Sequence, residues 1–309
     1  MTEPRAGRLP SVSVLVPTYD REHLLPTTMK AILDQDYDGD IEIVLTYDKN
    51  EPNQAHARQT PGRTVKVIAN TRVSGLAGAR NSGALAATAE LVALCDDDDV
   101  WHQGKLTKQV ALMQATGAVT CVTGIYVVQG EKRTVRVPGS TQLTLADFVE
   151  KRVVEASPST VVVRREAFLD RIGLVDEQIP GSYGEDWDWL LRAAAVGPVA
   201  VVDEPLVDIV WHAGSFFRTR WATIIEAFDY LLDKHAVLRE SNNGLAYVYG
   251  RKAFAYAALG DGAAARHWAR ESLRRRPSEK RPYLAALVSL KLLPADLVMR
   301  LAASAGRGM

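Results

Sequence analysis

The chain predicts an α/β protein: a mostly parallel sheet flanked by helices, followed by a helical C-terminal extension. Three observations predict it. Short apolar runs alternate with helical segments through the first hundred residues. Chemically reactive residues cluster where those runs end, which is where open α/β sheets bind ligands. From about Arg218 onward the pattern is helical and strand-free.

In order, Val12 to Val16 reads as a strand ending at Pro17. Glu22 to Gln35 reads as a helix with Leu25, Met29, Ile32 and Leu33 on one face; Pro26 fits only in its first turn. Ile41–Leu45 and Val65–Ile68 are further strands, and Ala77–Ala89 is an Ala-rich helix. Leu91 to Cys95 is a buried strand that runs into Asp96-Asp97-Asp98-Asp99. Val119–Val137 reads as short strands with a turn at Gln129 to Lys132, and Ser159–Val163 as another strand. Gly184 opens a helix that runs to about Val196; Val199–Val202 and Leu206–Trp211 close the sheet. Gly260-Asp261-Gly262 separates two helices of the tail. The expected division is a disordered lead over 1–10, a catalytic domain over 11–217 and a helical region over 218–309.

Composition narrows the function class. Lys+Arg and Asp+Glu balance at 37 each, so net charge gives no reason to expect nucleic acid as a partner. No apolar run is long enough to cross a bilayer, and residues 1–10 lack the apolar core of a secretion signal; a cytoplasmic protein is expected. Cys95 and Cys121 fall inside strands and read as reduced core residues. The basic run from Arg270 to Arg281 is either a solvated face or a contact for anionic lipid or a polyanionic acceptor. Leu290–Leu301, apolar on one side, packs on the core or lies at a membrane surface, which leaves peripheral membrane contact open.

The four consecutive aspartates carry the strongest chemistry. Two unit charges ~4 Å apart repel by roughly 4 kcal/mol at an effective dielectric near 20. Such a concentration at a sheet edge calls for a counter-charge, and hard divalent cations such as Mg2+ or Mn2+ prefer carboxylate oxygen. The alternative is a solvated acidic loop, against which the flanking strand and Trp101 argue.

Four segments, in this order, resemble the family two glycosyltransferases: Val12–Arg21; Gly78-Ala79-Arg80-Asn81-Ser82-Gly83; Leu94–Trp101 with Lys105-Leu106; and Gly184-Glu185-Asp186-Trp187. The resemblance spans Val12–Ser215. It implies a Rossmann-like GT-A fold, a nucleotide-sugar donor, a divalent metal and inversion at the transferred sugar. It lays the family's Asp-x-Asp element on Asp96 to Asp98, with Asp98 on the metal and Asp96 or Asp97 nearer the ribose; Asp99 is expected to cap the next helix. It makes Asp186 the general base of the Glu185-Asp186 pair. A helix N-terminus favours the carboxylate form there, and a capping role is the alternative. Glu185 is counted with Asp186 as catalytic and can share acceptor binding; Asp188, Trp187 and Trp189 are candidates for acceptor binding, with core packing the alternative for the tryptophans.

Pro17, Thr18 and Tyr19, at the end of the first strand, are candidates for donor binding, Tyr19 with its ring against the base. Asp48 is placed to accept from a pyrimidine N–H. The family usually has two adjacent acids followed by Gly and Ser there; this chain has Tyr47-Asp48-Lys49-Asn50, which keeps the second acid, and uridine remains the expected base. Arg80 is a candidate for the diphosphate, with a structural ion pair as the alternative. His212, after the last strand, is a candidate metal ligand, and Ala213–Arg220 a candidate lid. The acceptor is a hydroxyl of a glycan, a lipid-linked glycan or a glycoside. A nucleotidyltransferase of related fold would need a glycine-rich basic loop where Pro17 to Arg21 stands. An inactive nucleotide-sugar-binding module would have no need of both acid clusters.

Overall fold

The computed structural model describes residues 8–210 and 220–304. Residues 1–7 of the expected lead, His212 and most of the expected lid lie outside the described residues.

The first half contains β1 (Val12–Thr18), α1 (Leu25–Leu33), β2 (Ile41–Tyr47), β3 (Arg58–Thr60), β4 (Arg63–Ala69), α2 (Leu76–Ala86) and β5 (Leu91–Leu94). There follow β6 (Val100–Trp101), α3 (Lys105–Thr116), β7 (Thr120–Gln129), β8 (Lys132–Arg136), β9 (Gln142–Leu143), α4 (Leu145–Glu150), β10 (Val162–Arg164), α5 (Glu185–Val196) and β11 (Val199–Val210). The strands form one sheet in the order β3-β4-β2-β1-β5-β10-β7-β11-β6, with β8 on β7 and β9 on β11. β4, β2, β1 and β5 are mutually parallel, and β7 and β11 are parallel to each other. Short β10 lies antiparallel to both β5 and β7 and joins the two parallel groups.

Prolines mark where the pairing changes. β1 pairs with β5 only as far as Leu15 but with β2 as far as Thr18. The Leu15 carbonyl accepts from Cys95 and the Thr18 carbonyl from Asp48, so alternate residues face opposite neighbours. Pro17 therefore turns its missing N–H toward β5, beyond the end of that pairing. Pro205 lies between two register shifts of β11 against β7, and the two strands expected over 199–211 are one irregular strand. The strand expected at Ser159 begins at Val162 instead, because Pro158–Thr160 forms a 3-10 turn closed by Val161 N–H on the Pro158 carbonyl. Pro26 falls in the first turn of α1 as expected.

Side-chain alternation along the strands buries both sheet faces. Val12, Val14 and Val16 join one core with Ile43, Leu45, Ala93 and Leu106. Leu15 joins the other with Val44, Leu94, Phe148 and Trp187. Cys95 and Cys121 are buried free thiols. The C-terminal helices are α6 (Trp221–Lys234), α7 (Ala236–Glu240), α8 (Asn242–Ala258), α9 (Gly262–Arg275), α10 (Arg281–Ser289) and α11 (Ala295–Ser304). Phe228, Leu231, Leu238 and Tyr247 of α6 to α8 share the core of the sheet face, whereas α9 to α11 close a separate cluster around Phe254, Ala265 and Val288. No helix among the described residues is long and apolar enough to cross a membrane.

Candidate active site

Chain direction brings the ends of β1, β2 and β5 to one edge of the sheet. Thr18 Oγ1 donates to Asp97 Oδ2 at 2.8 Å, and Thr28 Oγ1 to the Asp97 carbonyl at 3.0 Å, which ties β1 and α1 to the acidic turn. Arg21 Nη1 donates to Asp98 Oδ2 at 2.7 Å and lies 3.3 Å from Asp97 Oδ1. Burial pushes the Asp97 carboxyl up to about 6, against the opposing pull of Thr18 and Arg21. Asp99 departs from expectation. The helix after it, α3, has Gly104 at its N-cap position and no side-chain cap, and Asp99 instead accepts from Ser159 Oγ at 2.5 Å. Ser159 Oγ also accepts from Asp96 N–H at 2.9 Å, and its carbonyl from Trp101 Nε1 at 3.0 Å, so the 3-10 turn holds the acidic loop in place. Burial raises the Asp99 carboxyl well above its usual range, and repulsion from Asp96 and Asp98 adds to it.

At the end of β2, buried Asp48 accepts from Asn70 Nδ2 at 2.8 Å and Ser74 Oγ at 3.2 Å. Tyr19 is 48% exposed, with Lys49 Nζ 5.2 Å from its ring centroid. Tyr47, which stands where the family usually has an acid, points its hydroxyl at Glu22 from 2.6 Å.

Arg80 joins the two acid groups. Its Nη2 meets Asp96 Oδ1 at 2.5 Å and its Nη1 pairs with Glu185. At 2% exposure, this guanidinium holds two carboxylates together, the structural ion pair that stood as the alternative to a diphosphate contact. Burial works against its charge, but Asp96 and Glu185 outweigh burial and raise its pKa. For the Glu185 carboxyl burial acts the other way and prevails, raising its pKa against the pull of Arg80. Asp186 Oδ2 takes Arg152 Nη2 at 2.5 Å and Nε at 3.1 Å, while its Oδ1 accepts from Trp187 N–H at 2.8 Å. Arg80, Glu185 and Asp186 border a small cavity whose other walls are apolar: Leu94, Pro158, Val161, Val175, Trp189 and Leu190.

The acceptor candidates on α5 fall inside the core. Trp187 Nε1 donates to the Phe148 carbonyl at 2.7 Å and Trp189 Nε1 to Gly173 at 3.1 Å; both rings are buried. Asp188 is fully buried and meets Arg192 Nη2, Lys234 Nζ and His235 Nε2, each at 2.7 Å. The reason is that α5 packs between the sheet and α6 to α8, so its sides away from Glu185 and Asp186 are covered. Arg21, Arg152 and Ser159 carry much of the geometry and were given no role in the sequence reading. Arg21 stands inside a recognised motif, whereas Arg152 and Ser159 carry no local pattern.

Whether a divalent cation fits is a question about Asp97 and Asp98. Their oxygens converge on a single guanidinium nitrogen of Arg21. A cation in place of that nitrogen would have two hard carboxylate oxygens, with donor phosphate and water to complete its shell, as is usual for Mg2+. Among the described residues no group of three or more His, Cys, Asp or Glu converges on one point.

The sheet order is that of the GT-A fold, and the family model makes the chain a glycosyltransferase. The chain belongs to glycosyl transferase family 2, whose profile matches residues 13–171. A solved structure of TarS 1–349 from S. aureus in complex with UDP-GlcNAc superposes with a TM-score of 0.62 at 15% identity, covering 96% of this chain and 92% of that one. Succinoglycan biosynthesis protein ExoO of Rhizobium meliloti is 27% identical over 259 residues, 80% of this chain and 73% of that protein. WfgD of Escherichia coli, a UDP-Glc:alpha-D-GlcNAc-diphosphoundecaprenol beta-1,3-glucosyltransferase, is 28% identical over 102 residues, 33% of this chain and 40% of that protein.

Proposed function

We propose that this glycosyltransferase moves a sugar from a nucleoside-diphosphate donor, with uridine as the base, to a hydroxyl of a glycan or lipid-linked glycan, inverting the sugar's configuration. The observation that carries this reading is the Arg80 bridge, which joins Asp96 at the end of β5 to Glu185 at the start of α5. In this reading the bridge sets the leaving-group side beside the acceptor side. The UDP and UDP-GlcNAc complexes of TarS and the donor in WfgD's name support the choice of nucleotide. The names of ExoO and WfgD support a role in building polysaccharide or lipid-linked glycan.

In this reading Tyr19 and Asp48 hold the base, Thr18 and Asp96 orient the sugar-nucleotide, and Asp97 and Asp98 hold a divalent Mn2+ or Mg2+. That ion would neutralise the charge gathering on the departing diphosphate. Asp186 takes the proton of the acceptor hydroxyl. The hydroxyl oxygen forms its bond to the anomeric carbon as the opposite carbon–oxygen bond breaks, and the electron pair leaves with the diphosphate. His212 is proposed as a further metal ligand. The enzyme works where the nucleotide sugar is made, in the cytoplasm, with its acceptor there or at the membrane face.

A thermal-shift panel of nucleoside diphosphates and nucleotide sugars, each with and without Mn2+, tests this. The expected result is a rise in melting temperature with UDP only when metal is present. The absence of a shift with every nucleotide would overturn it.

A further inference from the structure

Beyond Asp186, toward α8 and α10, three guanidinium groups are interleaved with phenol rings. Arg152 pairs with Asp186 yet keeps its side chain 33% exposed, and its guanidinium carbon lies 6.0 Å from the Tyr183 ring centroid. Arg251 of α8 lies 5.7 Å from the same centroid and donates to the Tyr183 hydroxyl. It also lies 6.0 Å from the centroid of Tyr247, which Arg281 approaches to 4.6 Å. The order Asp186, Arg152, Tyr183, Arg251, Tyr247, Arg281 thus runs from the candidate base to the start of α10.

These cations are unequally matched. Arg152 has Asp186, and Arg281 has Glu279 at 2.7 Å. Among the described residues, no carboxylate pairs with Arg251, whose partners are a phenol hydroxyl and aromatic faces. Arg281 Nε is buried with no acceptor among the described residues. Burial, followed by the guanidiniums of Arg281 and Arg152, works against the Arg251 charge, with Glu279 alone in its favour. An arginine does not shed its proton to relieve such a position. A partly buried, unmatched cation destabilises the fold, and a counter-ion supplied from outside would remove that cost.

We propose that Arg152, Arg251 and Arg281 form an anion subsite for a phosphate or diphosphate group carried by the acceptor. The planar forks suit phosphate oxygens, and several guanidiniums match a multiply charged group better than a single sugar carboxylate. The donor's own diphosphate belongs at the β5 end, where Arg80 is already closed by Asp96 and Glu185. The assignment rests on Asp186 being the acceptor-side base.

Isothermal titration of the full chain with geranyl diphosphate in metal-free buffer tests the subsite, and UDP with Mn2+ is titrated separately. Geranyl diphosphate affinity is expected to fall about tenfold or more in Arg251→Gln and Arg281→Gln, each lost charge-assisted pair accounting for a factor of this order. Arg251→Lys should keep part of it. Asp186→Asn, which frees Arg152 from its carboxylate, should strengthen binding. UDP affinity should be unchanged in Arg251→Gln, and that variant should melt at or above the wild-type temperature, whereas loss of a purely structural arginine would lower it. Wild-type geranyl diphosphate binding in Arg251→Gln would overturn the proposal. So would tighter binding of glucuronate than of geranyl diphosphate, or parallel loss of UDP binding in that variant. If wild-type protein ignores UDP while the arginine-dependent binding persists, the donor reading falls and the subsite stands.

Discussion

The end of β5 and the first turns of α5 both concentrate carboxylates, but they neutralise them differently. At β5, Asp97 and Asp98 share Arg21, whose side chain is 36% exposed. A cation held by a half-exposed arm can be exchanged for another. On α5, Glu185 is held by fully enclosed Arg80, Asp186 by the partly exposed Arg152, and fully buried Asp188 by Arg192, Lys234 and His235 together. Asp186 and Asp188 are only two residues apart, but a helix turns about 200° over that distance, so they face opposite sides. A carboxylate with one accessible partner is suited to chemistry, and one with several buried partners is suited to holding the fold.

The sharpest way to break this comparison is to remove one α5 carboxylate at a time. Asp186→Asn should lower transfer by about 10²–10⁴-fold, the usual worth of a general base, while keeping the metal-dependent thermal shift with UDP. Transfer at the wild-type rate would reassign the base, with Glu185 next to consider.

Asp188→Ala should act on stability, by about 3–5 kcal/mol in urea unfolding, because it leaves Arg192, Lys234 and His235 without their shared buried carboxylate. Burial opposes the Asp188 charge, but His235, Arg192 and Lys234 hold its carboxyl far below the usual range. Its contribution is therefore complete above the unfolded-state value near 4 and is lost progressively as pH falls below it. The variant and the wild type should accordingly converge in stability under strong acid; a constant gap at all pH values would remove the ion pairs as the cause.

Asp98→Asn tests the exchangeable end. It should abolish the Mn2+-dependent stabilisation by UDP, about 3 kcal/mol at ligand a hundredfold above its dissociation constant, with little change in the ligand-free melting temperature. Retention of the full shift would move the metal away from Asp98.

The smallest effect concerns Lys105, buried in the core with its Nζ 2.9 Å from Gln109 Oε1 and 3.7 Å from the Trp101 ring centroid. Burial lowers its pKa to about 7. Between about pH 7 and 10.5 the unfolded chain holds a proton that the folded chain does not, so stability rises with pH across that window. Lys105→Met should therefore stabilise the fold by about 1–3 kcal/mol at pH 7 and by less near pH 10. Equal gains at both values would show that the lysine is not titrating there.

Much of this was legible in the chain itself. Strand–helix alternation predicted the parallel sheet, and the rule that ligands bind beyond strand ends located Thr18, Asp48 and the acidic turn together. The helix opening at Gly184 and the first-turn position of Pro26 were read from local chemistry. The same reading misjudged Asp99, since nothing within a few residues announces Ser159 as its partner. It also left Trp187, Asp188 and Trp189 open to an acceptor, since a helix pattern alone does not reveal that α6 to α8 cover its other sides.

The sequence by itself determined the alternation of strands and helices through the first half and the family, because those depend on neighbours a few residues apart. Only the tertiary structure decided which charges meet. Arg21 reaches Asp98, Arg80 reaches Glu185 and Arg152 reaches Asp186 across long separations in the chain. Coulomb attraction depends on distance in space, and burial sets how strongly it is felt. Neither quantity exists until the sheet edge, α5 and α8 have been brought together.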